Sequence, residues 1–95
     1  MPEMRFSIRW PDGTAESCYS PSLVVKDFFA PGETYPLADF LARSRTALHI
    51  ASKRVEEKYG WPCSLAMAQL ARIEAAATSF GDVADARVAV DAFEE

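Results

Sequence analysis

The opening of the chain limits its fold more than any later segment. Met4, Phe6, Ile8 and Trp10 alternate with Arg5, Ser7 and Arg9. A period of two puts the apolar set on one face of a strand and the polar set on the other. Pro11-Asp12-Gly13 follows at once. Proline presets the first corner of a type I turn, aspartate accepts from nearby backbone, and glycine takes the left-handed position after it. The returning arm then sets Phe6 opposite Cys18 and Arg5 opposite Tyr19. A lone hairpin is only marginally stable in water, so the rest of the chain has to cover its apolar face.

Two helices can do so. In the first, Thr34 caps and Pro36 takes the first helical position. Leu37, Phe40, Leu41, Ser44, Leu48, Ala51, Val55 and Tyr59 then recur at steps of three and four, one stripe of an amphipathic helix. Arg45, Lys53 and Glu56 lie on its other side, and Gly60 supplies the left-handed stop. Trp61-Pro62 makes a corner into a second, alanine-rich helix from Cys63 to Ser79, with Ala66, Leu70, Ile73, Ala77 and Phe80 along one side.

Two segments admit two readings. Ser20-Pro21-Ser22 resembles a helix start, so that residues 22–29 form a turn or two of helix, yet Val24-Val25 and Phe28-Phe29 suit a strand equally. In the tail, residues 86–93, Arg87, Ala89 and Asp91 alternate with Val88, Val90 and Ala92. This favours a third strand beside the hairpin over a helix built on Val83, Ala86, Val90 and Phe93. The expected architecture is one α+β domain over residues 1–95. Its N-terminal hairpin and C-terminal third strand pack on a long amphipathic helix and an Ala-rich one.

The charge distribution narrows the partners. Residues 1–60 carry eight charges of each sign, whereas beyond them Arg72 and Arg87 face Glu74, Asp82, Asp85, Asp91, Glu94 and Glu95, giving the net −4. Nucleic acid is bound chiefly by clustered Lys and Arg, so an acidic domain without such a cluster is a poor candidate. No run reaches the roughly 18 apolar residues of a membrane span. The start, Met1-Pro2-Glu3-Met4-Arg5, lacks a secretory signal's basic flank and apolar stretch. Cys18 and Cys63, the two cysteines, are far apart and form neither a disulfide framework nor a zinc motif. A reduced, cytoplasmic protein without membrane partners is expected.

The catalytic inventory is sparse. Cys63 sits at a helix mouth, where free N–H groups and the dipole favour a thiolate, and it is the one candidate nucleophile. The single histidine, His49, is placed in mid-helix one turn from Arg45 and from Lys53. It belongs to a basic stripe that is either solvated or a docking face for an acidic partner. No Asp, Glu or Cys stands a turn away to complete a metal site. Glu56-Glu57 and Glu94-Glu95 are adjacent pairs rather than opposed carboxylates. The four glycines fall at turns and none forms a phosphate-cradling loop. No cofactor and no metal are expected. Aromatics at element ends, Trp10, Tyr19, Tyr35 and Trp61, join Arg45, His49 and Lys53 as interface candidates, since aromatic side chains carry much of the energy of protein contacts. An unpaired strand edge also offers a route to a homodimer.

Met4-Arg5-Phe6, Trp10-Pro11-Asp12-Gly13, Cys18-Tyr19-Ser20-Pro21-Ser22, Pro31-Gly32-Glu33-Thr34-Tyr35-Pro36 and Lys58-Tyr59-Gly60 together resemble a family of short bacterial nitrogen-starvation response proteins. The resemblance runs over essentially the whole chain. It implies an accessory role in nitrogen metabolism, from a gene cluster that also encodes a nitrilase, a radical-SAM protein, an acetyltransferase and a flavin-dependent oxidoreductase, and it assigns no catalytic or binding residue. The expected function is a small non-catalytic domain that binds a protein, an enzyme of that cluster. The alternatives are a thiol-dependent enzyme or subunit using Cys63, and a substrate modified by a cluster enzyme.

Overall fold

The computed structural model describes residues 2–95. Strands β1 (Met4–Arg9) and β2 (Ala15–Ser20) form the hairpin, with Phe6 opposite Cys18 and Arg5 opposite Tyr19 as the turn chemistry requires. Gly13 takes φ 90°, and Asp12 Oδ1 accepts from the Thr14 N–H at 2.9 Å. The chain continues through a 3-10 turn (Leu23–Asp27), β3 (Thr34–Pro36), α1 (Leu37–Tyr59), α2 (Ser64–Thr78) and β4 (Arg87–Glu94). The sheet is antiparallel throughout, in the order β2-β1-β4-β3. Phe6 and Ile8 of β1, Cys18 of β2, and Val88 and Val90 of β4 form one core with Phe40 and Leu48 of α1 and Leu70, Ile73 and Ala77 of α2. The hairpin on two helices is therefore as expected.

Within residues 22–29, Leu23–Asp27 form 3-10 helix and no residue is strand. The Ser22 hydroxyl accepts from the Val24 N–H at 3.2 Å, and Val24 and Val25 are both buried. A half-exposed strand cannot bury two successive side chains, because they point to opposite faces. Thr34 is not a helix cap. It belongs to β3, a short edge strand pairing Thr34 with Ala89, Tyr35 with Val88 and Pro36 with Arg87. Pro36 lies just before the helix, extended at φ −54° and ψ 144°. Lacking an N–H it ends the strand, and the Leu37 N–H donates instead to the Ala86 carbonyl at 3.0 Å.

The tail is a strand, but it sits between β1 and β3 and so completes four strands, not three. Its alternation also breaks. Ser7 pairs with Ala92 and Ile8 with Val90, leaving Asp91 as the extra residue of a bulge. The parity resets there, and Phe93 rather than Ala92 packs against the core. Asp91 turns outward to Arg9 at 3.3 Å.

Trp10 is buried, only 4% exposed, which removes it from the surface available to a partner. Phe40 of α1 lies edge-on to it at 5.7 Å, and Phe80, in the turn after α2, stacks on it at 5.8 Å. Its indole N–H donates to Glu16 Oε1 at 3.0 Å, which also receives Arg72 from α2. A polar atom is thus satisfied at the edge of the core.

Cys18 is fully buried. Burial, aided by the Glu16 charge, pushes its thiol up from the ordinary 9.0 to about 12. A raised acid pKa leaves stability untouched below the unfolded value and erodes it above, because only the unfolded chain releases the proton. Urea denaturation should therefore find about 2 kcal/mol less stability at about pH 10.5 than at about pH 8 from this thiol alone. Cys18→Ala should remove that part of the slope. An identical slope in the variant would show that Cys18 does not carry it.

Candidate functional site

The corner between the helices is where this fold leaves large apolar side chains in water. Gly60 ends α1 at φ 92°, its N–H bonded to the Glu56 carbonyl at 2.8 Å. Pro62 then keeps Trp61 out of helical backbone. The Cys63 N–H donates to Ser52 Oγ on α1 at 3.1 Å, which pins the start of α2 to the end of α1. A helix, a proline and this hydrogen bond thus hold the corner in one shape.

On it Tyr59 is 48% exposed, Trp61 68% and Leu65 63%. The Lys58 ammonium lies over the Tyr59 ring, 5.6 Å from its centroid. Tyr59 therefore departs from the expected stripe, because the last turn of α1 runs past the core. Leu65 is not among the candidates read from the sequence. The signal was present in its spacing, since Leu65 falls out of step with Ala66, Leu70, Ile73 and Ala77, which α2 buries. A large aliphatic residue off the buried stripe of a helix must face something else.

Tyr19 stands below the corner as a wall between two clefts. One, of about 210 Å³, is lined by Glu3, Tyr19, Pro21, Val55, Tyr59 and Cys63. The other, of about 470 Å³, runs past Arg5, Tyr19, Leu65, Gln69 and Arg72. The Tyr19 hydroxyl donates to Glu3 Oε2 at 2.9 Å, its backbone N–H donates to Gln69 Oε1 at 3.0 Å, and the Arg5 guanidinium sits 5.9 Å from the ring centroid. Desolvation and the Glu3 carboxylate push the phenol up to about 12. Tyr19 stays protonated and serves as a donor and an aromatic face.

The structure thus brings Tyr19 and Cys63 into one cleft with Tyr59, and Trp61 lies in the chain between Tyr59 and Cys63. The other candidates lie elsewhere. His49 is exposed on α1 with Arg45 and Lys53, and Arg45 reaches Glu74 of α2 at 3.6 Å. His49 does not line the cleft that holds Cys63, whose only carboxylate, Glu3, already accepts from Tyr19. Tyr35 is half-buried, its ring under Arg43 at 5.0 Å and its hydroxyl accepting from the Ala30 N–H at 2.9 Å. Among the described residues no group of three or more His, Cys, Asp or Glu could hold a metal ion. No helix among them is long and apolar enough to cross a membrane. What the corner offers is apolar and aromatic contact area beside a row of hydrogen-bonding groups.

The family model of nitrogen starvation-induced protein NitG matches residues 5–93, from β1 almost to the end of β4. No curated protein and no solved structure matches the chain.

Proposed function

We propose, from the premise that this chain belongs to the family of nitrogen starvation-induced protein NitG, that it is a non-catalytic accessory protein which docks on another protein. It works in the cytoplasm on an enzyme encoded in the same gene cluster, the nitrilase or one of its neighbours. The observation that carries this reading is the cluster of Tyr59, Trp61 and Leu65, exposed on a corner held rigid by Gly60, Pro62 and the Cys63–Ser52 hydrogen bond. A fold that buries Trp10 and Phe40 leaves its other tryptophan mostly in water. Exposed apolar groups clustered on a rigid frame are the usual anchors of a protein contact, and tryptophan is over-represented among the residues that dominate binding.

The catalytic alternative would need a base and an orienting group beside a nucleophile. The cleft around Cys63 supplies Glu3 and two phenols, and no imidazole lines it. That composition favours contact over chemistry.

The test is recovery of the partner from nitrogen-starved native cells with the tagged full chain. Trp61→Ala should weaken the contact by at least ~30-fold, the equivalent of about 2 kcal/mol. Its unfolding midpoint should move little, because Trp61 lies mostly in water and outside the core. A variant that retains the partner at wild-type level would refute docking through this corner.

A further inference from the structure

The larger of the two clefts beside Tyr19, about 470 Å³, has a lining that docking through the corner does not use. It runs between α2 and the hairpin, so that Leu65, Gln69 and Arg72 of the helix face Arg5 and Tyr19 of the strands. Leu65 and the Tyr19 ring give it an apolar side. Its charges are of both signs. Arg5 stands opposite Tyr19 in the hairpin with its guanidinium over the ring, while the Glu3 carboxylate accepts from the hydroxyl at the ring's tip. One aromatic ring thus carries a cation over its face and an anion at its end. The two form no ion pair with each other, and Arg5 forms none with Glu94, opposite it on β4, among the described residues. The remaining hydrogen-bonding capacity is that of donors. Gln69 Oε1 accepts from the Tyr19 N–H, which fixes the amide's orientation and leaves its NH2 as a donor. Arg72 reaches Glu16 through one nitrogen and keeps its other N–H groups.

A simple anion would be attracted by Arg5 and Arg72 and repelled by Glu3, Glu16 and Glu94, and a simple cation would meet the reverse. A zwitterion satisfies both signs. In an α-amino acid the ammonium nitrogen and the carboxyl carbon lie about 2.5 Å apart. Charge-assisted hydrogen bonds of about 2.8 Å at either end extend that reach to about 8 Å. Glu3 comes two positions before Arg5, about 7 Å at strand spacing. We infer that this cleft binds a free α-amino acid with an apolar side chain. Its ammonium donates to Glu3, its carboxylate accepts from Arg5 and the Gln69 amide, and its side chain lies against Tyr19 and Leu65. The volume falls within the roughly 300–1,000 Å³ of small-molecule sites, and a few convergent polar groups on an apolar wall are what such sites use to fix orientation. The site stands independently of the docking corner and shares only Leu65 with it.

Titration of the isotope-labelled full chain with L-phenylalanine, followed in its two-dimensional amide NMR spectrum, tests this. The Gln69 side-chain NH2 and the Tyr19 backbone N–H should shift saturably, with a Kd on the order of 1 mM for so open a cleft. Phenylpropionate lacks the ammonium and L-phenylalaninamide lacks the carboxylate. Each should bind at least ~10-fold more weakly, the loss of one hydrogen-bonded charge. Glu3→Gln should weaken phenylalanine by the same factor and leave phenylpropionate no weaker. Arg5→Gln should weaken phenylalanine likewise and leave phenylalaninamide no weaker. Both side chains are exposed, and the dispersion of the same spectra reports that each variant is folded. No saturable shift up to about 20 mM phenylalanine, an analogue that binds as tightly as phenylalanine, or a folded charge variant that keeps wild-type affinity would each overturn the inference.

Discussion

A chain ended after Ala86 is expected not to fold, giving the far-UV circular dichroism of a disordered polypeptide and no cooperative thermal transition. β4 is paired on both sides, with β1 and with β3. Its removal leaves β3 with no partner and strips one flank of β1. It also takes away Val88 and Val90, both fully buried, and uncovers the side of the core where Phe93 packs. Burying each such aliphatic side chain stabilises by about 1.5–3 kcal/mol, and the unmade ladder bonds add to the loss. A domain of this size has on the order of 5–15 kcal/mol in all. A shortened chain that still melts cooperatively would mean that the hairpin and helices form a core without the sheet's interior strand.

Phe40→Ala should cost about 3–5 kcal/mol, the usual range for truncating a buried phenylalanine. Phe40 is fully buried, lies edge-on to Trp10 at 5.7 Å and packs against Phe29 at 5.3 Å. It therefore joins the end of β1, the segment after the 3-10 turn, and α1. The cavity would open where three elements meet, and none can move in without leaving the others. Urea denaturation should show the loss as a lower midpoint with an unchanged slope. Trp61→Ala, for contrast, should stay within about 0.5 kcal/mol of wild type, as surface replacements usually do. A Phe40→Ala loss below about 1 kcal/mol would place the centre of the core elsewhere.

What could be read in advance was what neighbours in the chain decide. The alternation from Met4 to Trp10 and the Pro11-Asp12-Gly13 turn set the hairpin register between them, and Gly60 marked the end of α1 by its backbone alone. What could not be read depended on distant residues. Thr34–Pro36 is a strand only because Arg87–Ala89 lies beside it, and its own three residues pass equally well for a helix start. The bulge at Asp91 reverses the facing of everything after it, so a pattern that looked continuous placed Ala92 where Phe93 belongs. Trp10 reads as a corner aromatic because Phe40 and Phe80, which enclose it, come from α1 and from the turn after α2. At the candidate site the Trp61-Pro62 turn marks Trp61, and the helix mouth marks Cys63. The meeting of Cys63 with Tyr19 depends on how α2 is laid across β2, which no local pattern encodes.

Arg5 stands opposite Glu94 in the sheet, and this has a bearing on how the molecule is made. Joining those two residues closes a loop containing nearly every other residue. The entropy of such a closure grows only slowly with length, so the finished protein is little weakened by it. The order of events is affected far more. During synthesis the hairpin and both helices are made before β4, and until β4 arrives one flank of β1 has no strand to pair with. The sheet can close only once β4 is available, and a pairing this distant along the chain slows folding.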